Sequence, residues 1–199
     1  KSLAKGNDRL LLFSKELDKV EALKAAIISE YPLADVDGMT CPMHASWEAD
    51  IIILATPYEA QAEIADSIRQ VANQKIVISI ANPLNATYDA LVTKPDTSAA
   101  EELQALLPHA KVVKAFNTTY AANFAQTVID GKQADAFIAG NNVAALETTA
   151  ELVKTTGFNP IIAGKLSVSR TLEAMQLLLI QLTMKYNYNW LAGWKILHQ

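Results

Sequence analysis

Three short runs of apolar residues constrain the fold of this chain more than any other feature of its sequence. The first covers Asp50–Pro57, the second covers Lys75–Pro83, and the third covers Lys111–Thr118. A continuous apolar run is typical of a strand buried on both faces, as in a parallel sheet. Each run ends in small or polar residues, and open α/β sheets bind ligands where their strands end. The sequence therefore predicts a functional site at the ends of these three strands.

Predicted strands and helices alternate over residues 9–164. Apolar residues recur at helical spacing in Leu17–Tyr31, Tyr58–Val71 and Val143–Thr156, between the strand candidates. This alternation predicts an α/β fold with a doubly wound, mainly parallel sheet and helices on both faces. Beyond it, Arg170–Tyr186 is expected to form one long C-terminal helix that is apolar on most sides. Such a helix caps the sheet edge, packs on its own domain or lies in a subunit interface.

Composition narrows the classes of protein to which the chain can belong. Its net charge of −4 provides no basic face, which argues against nucleic-acid binding. Cys41 is the single cysteine, so an internal disulfide is impossible and a reducing, cytoplasmic location is expected. The three histidines and Cys41 are not at metal-ligand spacing, and no apolar run suggests a membrane partner. We divide the chain into an α/β domain, 1–164, and a C-terminal helical cap or dimerisation segment, 165–199.

The residues after the first predicted strand suggest a choice between two nicotinamide cofactors. In a dinucleotide-binding sheet, an acid at the end of the second strand accepts from the ribose 2′-hydroxyl and selects NAD. Here that position holds Ser14 and Lys15, whose hydroxyl and ammonium suit a 2′-phosphate and favour NADP. Glu16 follows and would weaken that preference. The alternative is an ordinary solvated turn.

Small and polar residues close the three apolar runs, and small residues allow a flat ring to approach the backbone. They are Ala55, Thr56 and Pro57 after the first run, Ala81, Asn82 and Pro83 after the second, and Asn117 and Thr118 after the third. The Asn82 amide offers both a donor and an acceptor that suit a carboxamide. Each segment alone is also compatible with a plain turn. Their common position at one sheet edge strengthens the prediction of a site.

No side chains suggest a nucleophile with its base. His44, His109 and His198 are scattered, and we expect them on the surface; we expect Cys41 to be structural. We therefore assign no catalytic residue and no metal ligand. A protein that positions a bound nicotinamide needs no such group, because the cofactor carries the hydride chemistry.

Five segments resemble one known family and occur in the same order as in that family. They read Ile-Ile-Ile-Leu-Ala-Thr-Pro-Tyr (51–58), Ile-Ala-Asn-Pro-Leu-Asn (80–85), Ser-Ala-Ala-Glu-Glu-Leu-Gln (98–104), Val-Val-Lys-Ala-Phe-Asn-Thr (112–118) and Phe-Ile-Ala-Gly-Asn (137–141). The family is that of the NADP oxidoreductases dependent on the deazaflavin coenzyme F420. The amino-terminal reductase domain of the STEAP metalloreductases belongs to the same wider group.

The resemblance implies a Rossmann-like domain that binds NADP and exchanges hydride with a small-molecule acceptor, a flavin or a deazaflavin. It places Ser14 and Lys15 at the 2′-phosphate and Ala55, Thr56 and Pro57 along the dinucleotide. It places Ala81, Asn82, Pro83, Phe116, Asn117 and Thr118 around the nicotinamide and the acceptor. The terminal helix would wall that pocket or form a homodimer. A ferric chelate stays open as acceptor, and a non-catalytic dinucleotide-binding or interaction module is the alternative function.

The start of the chain departs from the family. Family members open with a strand and a Gly-x-Gly-x-x-Gly turn that holds the pyrophosphate, and this sequence contains no such motif. Lys1–Arg9 instead resembles the last turn of a helix, a glycine stop at Gly6 and the lead into a strand. We therefore expect the first strand and the Gly-rich turn to be missing from this chain. A short ragged terminus is the alternative.

Overall fold

Strands and helices alternate along residues 1–198, the part of the chain that the computed structural model describes. The strands are β1 (Leu10–Phe13), β2 (Val36–Met39), β3 (Ile51–Leu54), β4 (Ile76–Ser79), β5 (Lys111–Lys114), β6 (Val128–Ile129), β7 (Lys132–Gln133), β8 (Asp135–Gly140) and β9 (Asn159–Gly164). The helices are α1 (Leu17–Glu30), α2 (Pro42–Glu48), α3 (Gln61–Ile68), α4 (Ala99–Leu106), α5 (Val143–Thr155) and α6 (Ser169–Tyr186). The predicted α/β fold is confirmed.

The main sheet has five strands in the order β3-β4-β5-β8-β9. Strands β3, β4 and β5 are parallel neighbours, and β8 runs antiparallel to β5 but parallel to β9. β1 and β2 pair with each other in a separate parallel sheet. Because β8 is reversed, its first residues lie at the same edge as the carboxyl ends of β3, β4 and β5. That edge is where the sequence predicts the site.

Helices cover both faces of the main sheet, as the doubly wound prediction requires. Successive strand residues point to opposite faces, so Val113 packs with α5 while Val112 packs with α3 and α4. Burial of these two apolar layers is the main force that holds the sheet between its helices. All six residues of β8 are buried, because helices cover both faces of the sheet at this strand.

Helix α6 begins at Ser169 and ends at Tyr186, one residue longer than the predicted range. Its buried side packs on its own chain through Leu172, Leu179 and Ile180. Leu178 on the opposite side is 48% exposed. The helix therefore packs on its own chain and still presents apolar surface. Within residues 1–198, no helix is both long enough and apolar enough to cross a membrane.

Residues Ser2–Lys5 form a 3-10 turn that stops at Gly6, close to the predicted helix end. In the described part of the chain, β1 forms a ladder with β2 and none with β3. The expectation that a strand is missing before this turn stays a prediction.

Candidate functional site

The carboxyl edge of the sheet brings the three predicted segments together. Ile53 pairs with Ile78, and Ile78 pairs with Val113, so β3, β4 and β5 end side by side. The turns that follow these strands carry Thr56, Asn82 and Asn117. The arrangement arises from parallel pairing, because parallel strands with matched register finish at one level.

Asn82 and Asn117 form a reciprocal pair at the centre of this edge. Asn82 Nδ2 donates to the Asn117 carbonyl oxygen at 2.9 Å, and Asn117 Nδ2 donates to Asn82 Oδ1 at 2.9 Å. Asn117 Nδ2 also lies 3.1 Å from the Leu172 carbonyl oxygen on α6. Both amide planes are thereby fixed. The sequence predicted these two asparagines at one site, and the structure places them in contact.

The other predicted residues of the three turns differ in exposure. Ala55 and Pro57 are exposed and Thr56 is half-buried, so the turn after β3 faces solvent. Ala81, Pro83, Phe116 and Thr118 are buried among the following segments. The edge therefore has an open side at β3 and a closed side at β5.

Phe116 has an unusual backbone conformation for an aromatic residue. Its φ of 61° lies in the left-handed region, which is costly for a side chain of this size. The Phe116 carbonyl oxygen accepts a hydrogen bond from Thr119 Oγ1 at 2.8 Å, and the ring packs on Phe124 with centroids 5.7 Å apart. These contacts hold the strained residue between Lys114 and Asn117. Strain of this kind concentrates at binding and catalytic sites.

Phe116 also borders an apolar groove of about 300 Å³ on the α5 face of the sheet. Ile53, Ile80 and Phe124 contribute other parts of its wall, and Thr156 adds a polar group. The groove therefore adjoins the ends of β3 and β4.

The turn after β1 carries the two residues predicted for a 2′-phosphate. Ser14 Oγ accepts from the Glu16 backbone amide at 3.2 Å. Lys15 Nζ lies 2.7 Å from Glu63 Oε1 on α3, and both side chains are exposed. The Glu16 carboxylate pairs with Lys19 at 2.7 Å. The Lys15 ammonium is tethered beside the helix that follows the β3 turn.

Two charged residues at the site were not predicted from the sequence. Lys114 on β5 and Glu173 on α6 form an ion pair at 2.6 Å, and both side chains are 0% exposed. A signal was present for Lys114, which is a lone charge between apolar neighbours on both sides. The prediction placed the site residues after the end of β5 and treated the C-terminal helix as a cap or an interface, without a role for either charge.

Tyr58 directly follows Pro57 in the turn after β3. Its hydroxyl donates to Glu102 Oε2 at 2.6 Å, and burial together with this carboxylate raises the pKa of Tyr58 to about 12. The phenol therefore stays protonated near neutral pH. It anchors α4 and is a poor general base.

Two polar atoms at the end of β5 lack protein partners. Across residues 1–198, Asn117 Oδ1 and Thr118 Oγ1 are buried without a hydrogen-bond partner. Buried polar atoms are rarely left unpaired, so a water molecule or a ligand is the expected partner of these two atoms. An acceptor oxygen and a hydroxyl suit an amide-bearing ring.

Comparison with solved structures establishes the class of fold. The chain superimposes on the crystal structure of a candidate F420-dependent NADP reductase from Arthrobacter sp. FB24 with a TM-score of 0.84. The match covers 99% of this chain and 92% of that one, at 23% sequence identity. The chain is a Rossmann-like α/β protein.

Sequence relatives define the family within that class. The profile described as NADP oxidoreductase, coenzyme F420-dependent, matches residues 1–83. An F420-dependent NADP reductase of Methanocaldococcus jannaschii is 32% identical over 90% of this chain and 84% of its own length. The metalloreductase STEAP3 of Rattus norvegicus is 30% identical over 66% of this chain and 26% of its own length. The chain belongs to the coenzyme F420-dependent NADP oxidoreductase family, which confirms the resemblance seen in its motifs.

Proposed function

We propose that this protein is an NADP-dependent oxidoreductase that transfers hydride between NADP(H) and a deazaflavin of the coenzyme F420 type. The observation that carries the proposal is the 32% identity to an F420-dependent NADP reductase over 90% of the chain. The carboxyl edge supports it, because the predicted residues Thr56, Asn82 and Asn117 follow three adjacent strands.

The turn after β1 fits the phosphate that distinguishes NADP from NAD. Lys15 supplies an ammonium at an exposed position, and Ser14 supplies a hydroxyl beside it. A lysine binds phosphate as a point charge. Lys15 would leave Glu63 or share its charge with the phosphate, because that exposed ion pair is weak.

The β4 and β5 turns fit a nicotinamide. Asn117 Oδ1 is a buried acceptor without a protein donor, and a carboxamide nitrogen supplies the missing donor. Asn82 holds Asn117 in orientation through two hydrogen bonds. When bound, the reduced nicotinamide supplies the hydride, and the deazaflavin takes it up with a proton from solvent. The protein's part is to bind and orient both rings and to exclude water between them.

Activity with purified partners tests the proposal. Oxidation of NADPH should coincide with loss of deazaflavin absorbance, one equivalent for one equivalent, and NADH should be a poor substitute. A free flavin and a ferric chelate serve as alternative acceptors. If the protein binds NADPH and reduces none of the three, a non-catalytic dinucleotide-binding module becomes the better description.

Residues 165–199 are proposed as a cap that also forms a homodimer. The supporting observation is apolar surface on and after α6, where Leu178 and Met184 are 48% and 56% exposed and Leu197 is 73% exposed. Light scattering should report a dimer, and Leu178→Glu should produce a monomer. A wild-type monomer at micromolar concentration contradicts this part of the proposal.

We also propose a cytoplasmic location for the protein. The free thiol of Cys41 supports it, because unpaired cysteines are typical of reducing compartments.

A further inference from the structure

The Lys114–Glu173 ion pair is costly if its only role is to stabilise the fold. Both side chains are 0% exposed. Removing two charges from water costs several kcal/mol per ion, and apolar replacements of similar volume are often as stable or more stable. Burial acts on the two groups in opposite directions, lowering the pKa of Lys114 and raising that of Glu173, while their mutual attraction opposes both shifts. Another role is needed to explain the pair.

The two side chains contact backbone atoms at the site edge. Lys114 Nζ donates a short hydrogen bond to the carbonyl oxygen of Ala81, the residue before Asn82. Glu173 Oε2 accepts from the backbone amide of Ala99 at 3.1 Å, at the start of α4. The pair thus joins the β4 turn, strand β5, helix α4 and helix α6 at one point.

A second connection runs parallel to this one. Asn117 Nδ2 binds the carbonyl oxygen of Leu172, the neighbour of Glu173, and also binds Asn82 Oδ1. One turn of α6 therefore holds both strand-end turns, the β4 turn through Lys114 and the β5 turn through Asn117. Loss of the charged connection would leave the Asn82 side chain dependent on its hydrogen bonds with Asn117.

We infer that Lys114 and Glu173 are positioning residues, which fix the Ala81–Asn82 peptide so that the Asn82–Asn117 pair presents one fixed face to the nicotinamide. The inference rests on the proposed function for its catalytic consequence. Its structural claim, that the ion pair orders Asn82, holds in the free protein and is testable without substrate. The two residues act through Asn82 and are not assigned contact with a reacting atom.

Single truncations do not test this inference, because either one leaves a lone buried charge and destabilises the fold. The informative variant is Lys114→Met with Glu173→Leu, which removes both charges and keeps the volume. The matched control is Lys154→Met with Glu151→Leu, an exposed ion pair on α5 away from the edge.

Hydrogen exchange at the Asn82 side-chain amide, followed by NMR in the free protein, is the first readout. We expect exchange about tenfold faster in the Lys114/Glu173 double variant, as the loss of one ordering hydrogen bond implies. The second readout is kinetic. We expect kcat to fall by about 10²-fold while the Kd for NADPH changes little, because small misplacement of a ring acts on the chemical step. The control should change neither readout.

A double variant that folds with wild-type exchange at Asn82 and wild-type kcat overturns the inference and leaves the pair a structural element. If that variant does not fold, Lys114→Met with Glu173→Gln takes its place, since it also leaves no buried charge while glutamine keeps the shape and an acceptor for the Ala99 amide. Faster exchange at Asn82 with a lower kcat supports the inference, and no change in either overturns it. If wild-type protein has no activity with NADPH and deazaflavin, the proposed function fails while the exchange result still decides the positioning claim.

Discussion

Lys15 Nζ and Glu63 Oε1 lie 2.7 Å apart, and this pair joins the turn after β1 to helix α3 across 48 residues of sequence. The ammonium proposed to meet a 2′-phosphate is therefore already in contact with a carboxylate. Binding of the phosphate and binding of Glu63 compete for the same cation. Under the proposed assignment of Lys15, both partners set the preference for NADP.

Lys15→Glu should weaken NADPH binding by about 10- to 100-fold, because a hydrogen bond between charged groups is replaced by repulsion. NADH carries no 2′-phosphate, so its affinity should change little. Titration of both cofactors by fluorescence measures the two Kd values. Lys154→Glu, on α5, controls for the change in net charge. Equal losses for NADPH and NADH would remove Lys15 from the phosphate site.

Glu63→Gln should have the opposite effect and tighten NADPH binding by about two- to fivefold. The gain is small because exposed ion pairs contribute at most about 1 kcal/mol. It should shrink as salt is added, since the competing charges are screened. The same titration in low and high salt checks this. If Glu63→Gln raises the Kd for NADPH instead, Glu63 orients Lys15 for the phosphate and does not compete for it.

The fold was largely predictable because the apolar runs that form β3, β4 and β5 carry no competing pattern. Val143–Thr155 and the stop at Gly157, whose φ is +94°, were also predicted from periodicity and one glycine. The β6–β7 hairpin was missed, because two-residue strands leave no measurable alternation. The reversed direction of β8 depends on pairing with β5, which local sequence does not encode.

The site was predictable only where chain order determines it. Strand ends meet at one edge in any parallel sheet, so Asn82 and Asn117 could be grouped from sequence. Lys114 and Glu173 lie 59 residues apart. Their contact depends on which side of α6 faces the sheet, and an apolar helix gives little information about its orientation. The sequence can therefore mark Lys114 as an unusual buried charge, but it does not identify Glu173 as its partner.

Asn82→Leu should lower turnover strongly while the Kd for NADPH changes less. The substitution removes the two hydrogen bonds that orient Asn117, although Asn117 Nδ2 keeps the Leu172 carbonyl oxygen. We expect the free energy of unfolding to fall by about 1–3 kcal/mol, as for an unpaired buried polar group. Steady-state kinetics and urea unfolding measure the two effects. Asn73→Leu, at an exposed position outside the site, is the control. If turnover is unchanged in Asn82→Leu, the role of Asn82 is to stabilise the turn and not to support catalysis.

Asp135 holds the segment after α6 against the start of β8. Its carboxylate accepts from Lys195 Nζ at 2.7 Å, from the Ile196 amide at 2.6 Å and from Asn159 Nδ2 at 2.7 Å. Burial alone would raise the pKa of Asp135, but these donors outweigh it and hold the pKa below the usual value. A carboxyl with a lowered folded-state pKa stabilises the fold above its unfolded pKa of about 3.9, and that stabilisation is lost as pH falls through the folded value.

Asp135→Asn should therefore lower the free energy of unfolding by about 1.5–3 kcal/mol at neutral pH, the range for hydrogen bonds to a charged group. The difference from wild type should narrow in acid, because the wild-type carboxyl becomes protonated there as well. Urea unfolding at a series of pH values between neutrality and strong acid gives this difference directly. Asp130→Asn, at an exposed hairpin turn, should follow wild type throughout. If the difference in free energy of unfolding stays constant with pH, Asp135→Asn destabilises the fold through altered packing and not through the lost charge.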